Sequence, residues 1–236
     1  MRDKKTFRFK QFNIHHHRAT MKVGTDGVIL GAWATTDKAT RILDIGTGTG
    51  LIALMLAQRT LPTVHIDAIE ISADDCAVAY ENVKQSPWPE KVNVHHVALQ
   101  EYFSKPYDLI VSNPPFFINS YKPPTEKRTQ ARHSEMLSQQ DLLFHSKRLL
   151  SPTGKLCVVL PETEANQLIG ISTPMGWYCT RLCRFRARSE KPVERLFMEF
   201  SLEEQPTEQH ELVLYRQGAE WTEEYKMLTG EFYLQA

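Results

Sequence analysis

No Cys-x-x-Cys pair occurs among the four cysteines, Cys76, Cys157, Cys179 and Cys183, so the chain carries neither a zinc-ribbon nor a thioredoxin-type motif. No apolar stretch long enough for a signal peptide or a membrane span follows the start Met1-Arg2-Asp3-Lys4-Lys5. No internal repeat and no low-complexity tract interrupts the sequence. These absences point to a soluble cytoplasmic protein in a reducing compartment, with Cys157 in the apolar run 156–160 read as a buried thiol. Overall charge is missing too: 28 basic and 28 acidic residues cancel, so the molecule as a whole has no nucleic-acid signature. The charge is unevenly spread, however. Residues 1–22 hold seven Lys/Arg against Asp3, and from Glu199 onward nine acids face only Arg216 and Lys226. That polarity reads either as a basic patch hidden in a neutral total or as two solvated faces.

What is present is an alternation of short apolar β-type runs with amphipathic helical ones, in 236 residues, a length suited to one α/β domain. Strands are expected at 41–45, 64–70, 92–98, 107–112 and 155–160, with helices at 51–58, 73–85, 139–150 and 162–169 between and after them. Pro152 and Gly154 are expected to stop the third of these helices before the fifth strand. Residues 177–188 and 193–200 read as two further strands joined by a short turn, hence antiparallel. The expected fold is therefore a Rossmann-like α/β domain, with a mostly parallel seven-stranded sheet ending in an antiparallel pair. The whole of 1–236 forms this one domain. Residues 1–40 are an arm and helix capping the cofactor, residues 113–136 are a catalytic loop, and residues 221–234 are a closing amphipathic helix.

Two stretches carry chemistry. Asp44-Ile45-Gly46-Thr47-Gly48-Thr49-Gly50 follows the first of these strands and opens a helix, where Gly46, Gly48 and Gly50 let backbone approach a ligand without an intervening Cβ. Glu70 ends the second, where an acid can accept from ribose hydroxyls. That pairing also occurs in NAD enzymes, but an acid at the mouth of the site, Asp44, suits a cationic sulfonium and ammonium ligand better than a pyrophosphate. Asn113-Pro114-Pro115-Phe116 follows the fourth strand at the carboxyl edge. It reads either as a turn or as an acceptor site. In the second reading the Asn113 side-chain oxygen and the Pro114 carbonyl hold the two N–H bonds of a planar amine, Pro115 stiffens the loop, and Phe116 stacks on an extruded base.

These motifs resemble motif I and the Asn-Pro-Pro-Tyr/Phe signature of Rossmann-like S-adenosylmethionine-dependent methyltransferases that act on amino groups. The resemblance implies S-adenosylmethionine as cofactor, S-adenosylhomocysteine as product, Glu70 as the ribose acid and no metal. It also implies a contact to the cofactor adenine at Ala98 and Leu99, where an acid is more usual and backbone must serve instead. The segment Lys22-Val23-Gly24-Thr25-Asp26 resembles the piece packed over the methionine end of the cofactor; structurally it reads as an N-cap through Thr25 or Asp26.

The signature covers adenine, guanine and glutamine-amide acceptors. Taken with 22–33 and Ala131-Arg132-His133-Ser134-Glu135, the chain looks most like the bacterial tRNA adenine-N6-methyltransferases. That resemblance implies the adenine immediately 3′ of the anticodon of a valine tRNA as target. An rRNA guanine-N2 enzyme, a protein glutamine-N5 enzyme and a silent Rossmann binding module are the alternatives. Lys122, Lys127, Arg128 and Arg132 in the long loop, and Arg184, Arg186 and Arg188 along one strand face, are expected to grip tRNA phosphates, with the basic head beside them. No membrane and no obligate protein partner is expected. His15-His16-His17 reads as a basic, RNA-facing loop in preference to a metal site.

Overall fold

A computed structural model describes residues 5–115 and 137–234. A hairpin of β1 (Thr6–Arg8) and β2 (Asn13–His15) precedes α1 (Thr25–Trp33). Then come β3 (Arg41–Ile45), α2 (Leu51–Arg59), β4 (His65–Glu70), α3 (Ala73–Lys84), β5 (Val92–His96), a 3-10 turn (Leu99–Glu101) and β6 (Tyr107–Ser112). The second half comprises α4 (Gln139–Leu149), β7 (Leu150–Pro161), α5 (Glu162–Ser172), β8 (Tyr178–Arg186), β9 (Arg195–Ser201), β10 (Glu208–Val213) and α6 (Glu223–Thr229).

The main sheet has eight strands in the order β10-β8-β9-β7-β6-β3-β4-β5 among the described residues. All neighbours run parallel except β9, which is antiparallel to both β7 and β8. The expected plan of a mainly parallel sheet with a late antiparallel pair is what the chain forms. One strand exceeds expectation: β10 adds parallel to β8 at the edge, and its Glu-Gln-His-Glu start has no apolar alternation to announce it. α6 is shorter than the expected closing helix, though Tyr225 and Phe232 do pack into the core. Helix α4 stops at Leu149, and Pro152 and Gly154 lie inside β7, in the register irregularity opposite Tyr107–Leu109.

Strand alternation builds two cores. Ile42, Leu109, Val111, Cys157, Val159 and Phe197 face α1, α2 and α6. Leu43, Ile110, Leu156, Val158, Leu196 and Met198 face α4 and α5. Both faces are covered, which is why these strands read as nearly continuous apolar runs.

Candidate active site

The register places the two motifs side by side. Ile45, the last residue of β3, pairs with Ile69 of β4 on one side and with Ser112 of β6 on the other. The Ser112 hydroxyl donates to the Ile45 carbonyl at 3.0 Å, in a buried position. The glycine-rich loop after Ile45 and Asn113 after Ser112 therefore leave adjacent strands at one level of the carboxyl edge, where open α/β sheets take their ligands.

The loop is held from beneath. The Gly46 and Thr47 N–H groups both donate to the Ile69 carbonyl, at 2.9 and 3.1 Å, and the Gly50 N–H donates to the Thr47 carbonyl at 2.9 Å. Gly46 and Gly48 have φ of 68° and 56°, a left-handed backbone that only glycine adopts without strain, and no atom lies within 4 Å of where a Cβ would stand on either. That open cradle is the feature a closely approaching ligand needs.

Glu70 is buried and its carboxylate is fixed in plane by two backbone donors, Gly48 N–H to Oε2 and Ser72 N–H to Oε1, each at 2.9 Å. It thus couples the glycine loop to the start of α3 while keeping further lone pairs for a hydroxyl-bearing ligand.

Asp44 differs from expectation. It does not stand at the mouth of the site but is fully buried beneath the loop. One oxygen, Oδ2, accepts from the Thr47 hydroxyl at 2.6 Å and from the Ala53 N–H at 3.2 Å. The other, Oδ1, is buried with no hydrogen-bond partner among the described residues. Burial pushes the carboxyl up to about 7; the Thr47 and Ala53 bonds oppose this, and the nearby Glu70 charge adds to it. An unpaired buried acceptor is costly in isolation and is satisfied by a ligand bearing N–H donors or positive charge. Together with the open glycine cradle, this donor-hungry acid fits the cationic methionine end of S-adenosylmethionine.

Helix α1 closes the other side. Its N-cap is Gly24, without a side-chain cap bond, so the expected capping by Thr25 or Asp26 does not occur. Asp26 instead accepts from Arg195 Nε at 2.8 Å, which ties the first turn of α1 to the start of β9. A Cβ on Gly27 would meet Leu51 Cδ2 at 3.1 Å and the Asn113 amide nitrogen at 3.9 Å, so α1 packs directly beside Asn113. Ser72 and Ser112 were absent from the sequence expectation, and Thr47 and Gly27 were given no role of their own in it; Gly27, a glycine inside an apolar helix, carries a readable signal of close approach.

Asn113 is half-buried, Pro114 buried and Pro115 exposed. Phe116, Lys122, Lys127, Arg128 and Arg132 lie outside the described residues, as does most of the expected 113–136 loop. Lys22 and Gly24 are exposed, just before the start of α1. Ala98 is half-buried and caps the 3-10 turn, while the Leu99 side chain is committed to the core. β8 runs parallel to the first strands, so Arg184 and Arg186 reach the carboxyl edge on one face, while Arg188, expected on the same strand, lies just past its end. They are not bare, however. Arg184 donates to Gln209 and Arg186 to Glu211, both on β10, and Arg188 donates to the carbonyls of Arg216 and Gly218. The His15 ring meets Thr6 in the hairpin and His16 is buried, while His17 is exposed beyond the end of β2. No cluster of metal-ligating side chains occurs among the described residues, and no described helix is long and apolar enough to cross a membrane.

Comparisons with known proteins agree with this geometry. The profile of the Methyltransferase small domain family matches residues 23–170. A protein of Trichodesmium erythraeum is 46% identical over 232 residues, and one of Tolumonas auensis is 43% identical over 229, each alignment covering 97% of both chains. Both bear the name tRNA1(Val) (adenine(37)-N6)-methyltransferase. Among solved structures, a predicted O-methyltransferase from Agrobacterium tumefaciens superposes with a TM-score of 0.68 at 14% identity, over 88% of this chain and 96% of that one, a likeness of fold.

Proposed function

This chain belongs to the tRNA1(Val) (adenine(37)-N6)-methyltransferase family, within the Methyltransferase small domain group, and from that premise we propose that it methylates the exocyclic N6 of adenine 37 in a valine tRNA. The observation that carries the proposal is the juxtaposition at one sheet edge of a donor-hungry acid and open glycine cradle with Asn113-Pro114-Pro115. S-adenosylmethionine, when bound, supplies an electrophilic methyl group on a sulfonium. Gly46, Gly48, Asp44 and Glu70 hold that cofactor, with Lys22, Gly24, Thr25 and the first turn of α1 at its entrance. Asp26 acts through its ion pair with Arg195, positioning that turn. Ala98 and the Leu99 backbone would receive the cofactor's adenine.

An adenine amine is a poor nucleophile because its lone pair is delocalised into the ring. The Asn113 side-chain oxygen and the Pro114 carbonyl accept its two N–H bonds, and Pro114 has no N–H of its own to compete. Those contacts strengthen as positive charge grows on nitrogen, so they favour the transition state over the ground state. The methylated ammonium is acidic enough to lose its proton to water, and no strong base is needed. Phe116 stacks on the extruded base. Lys122, Lys127, Arg128 and Arg132 contact tRNA phosphates, joined by Arg184, Arg186 and Arg188 through the N–H groups that their intramolecular partners leave them.

Incubation with methyl-labelled S-adenosylmethionine and unmodified bulk tRNA, followed by digestion to nucleosides, should place the label in N6-methyladenosine. Label in N2-methylguanosine, or transfer only to protein glutamine, would move the chain to another acceptor class. No transfer to any of them would leave a binding module.

A further inference from the structure

Helix α3 carries two buried polar side chains that the proposed chemistry leaves unused, Asp75 and Asn82. They stand two turns apart, on the face that also presents Ala79 between them, whose backbone lies 3.6 Å from where a Gly50 Cβ would be. Asn82 is 1% exposed and its carboxamide is spent on backbone. Its Oδ1 accepts from the His15 N–H at 2.9 Å, and its Nδ2 donates to the His15 carbonyl at 3.0 Å and to the Thr49 carbonyl at 2.9 Å. One side chain thus pairs with β2 as a neighbouring strand would and, with the same nitrogen, grips the glycine-rich loop. Seven residues earlier, Asp75 Oδ1 accepts from the Thr20 N–H at 2.8 Å. Residues 13–20 therefore run over α3 as a strap fastened at both ends, and one fastening is shared with the loop.

We propose that Asn82 is a positioning residue for cofactor binding, joining the N-terminal strap 13–20 to the glycine-rich loop so that each orders the other. The inference rests on the reading of that loop as the S-adenosylmethionine site. Amides of Gly46, Thr47, Gly48 and Gly50 are fixed by the sheet, by Glu70 and by the loop itself, whereas the Thr49 carbonyl is fixed from α3 by Asn82 alone among the described hydrogen bonds. A ligand that selects one loop conformation then also selects the docked strap, and by linkage the docked strap raises ligand affinity.

The test uses the full chain and S-adenosylhomocysteine as probe. Calorimetry should show Asn82→Ala binding about tenfold more weakly, the loss of one buried hydrogen-bond set. Asp75→Ala, which frees only the Thr20 end, should bind two- to threefold more weakly. Trp177→Phe, which removes a buried hydrogen bond to Leu143 on the opposite face, should bind as wild type and controls for general destabilisation. Hydrogen exchange on the unmutated protein needs no variant: the probe should slow exchange at His15, Thr20 and the loop while leaving β10 unchanged. Affinity of a folded Asn82→Ala within twofold of Trp177→Phe, or protection of β10 equal to that of the strap, overturns the coupling. Wild-type protein that fails to bind the probe overturns the cofactor reading itself.

Discussion

Two buried carboxylates in this sheet have opposite fates. Glu199, in β9, is as thoroughly enclosed as Asp44, in β3. Burial alone would raise its pKa, but hydrogen bonds from Lys155 at 2.6 Å and Thr35 at 2.7 Å, with Arg181 at 3.5 Å, outweigh burial and hold it below the ordinary carboxylate value. Arg181 is itself stacked on Trp33, 3.8 Å from the ring centre. Among the described residues Asp44 makes no ion pair and keeps one oxygen unpartnered, and it is pushed up to about 7. The fold thus completes the first acid from its own side chains and leaves one oxygen of the second without a partner among the described residues, which is where we propose the cofactor binds. A buried charge that is fully paired reads as structure; one left short at the carboxyl edge reads as a site.

The largest effect separating the two should come from Glu199→Ala, which strands Lys155 and Arg181 beside an emptied pocket. It should cost about 3–5 kcal/mol in denaturant unfolding. Asp44→Asn keeps an oxygen for the Thr47 and Ala53 donors and removes an acid whose ionised form burial disfavours, so it should not lower stability at pH 7. Equal losses for the two variants would erase the distinction.

On the ligand side, Glu70→Ala should weaken S-adenosylhomocysteine binding by about 1.5–3 kcal/mol, the value of a hydrogen bond to a charged group. Unchanged calorimetric affinity would remove Glu70 from the site.

The sharpest effect is in pH. Between 3.8, the ordinary Asp value, and about 7, the unfolded chain has released the Asp44 proton while the folded one retains it. Wild-type stability should therefore fall relative to Asp44→Asn as pH rises through that window, by at most about 1.4 kcal/mol per unit, and the gap should stop growing above about 7. A cationic ligand prefers the ionised acid, so its affinity for wild type should rise with pH up to about 7 and its affinity for the variant should not. Parallel pH profiles would show that Asp44 does not meet the ligand.

Much of this was legible before any coordinates. β3 and β6 were read with their observed ends, because parallel strands buried on both faces are apolar throughout, and the glycine loop and Asn113 follow them directly. The depth of Asp44 was not legible, since a strand-end acid looks the same in sequence whether it faces solvent or lies under the next loop. β10 was hidden because an edge strand is fixed by backbone pairing and here buries one residue, Leu212, among its six. The hairpin was hidden because its strands are three residues long and its stability comes from docking Phe9 and Phe12 against Tyr233 and Trp88, contacts between the two ends of the chain and with the segment before β5. Asp75 and Asn82 share a helical face, but sequence does not say which face of α3 meets the loop.

The division of labour at the carboxyl edge is tested most directly by single-turnover methyl transfer to tRNA in Asn113→Ala, measured beside its affinity for S-adenosylhomocysteine. Transfer should nearly vanish while affinity stays within a few-fold of wild type, since Asn113 acts on the acceptor amine. Transfer above about a tenth of the wild-type rate, equivalent to less than about 1.4 kcal/mol of barrier, would contradict the role of Asn113.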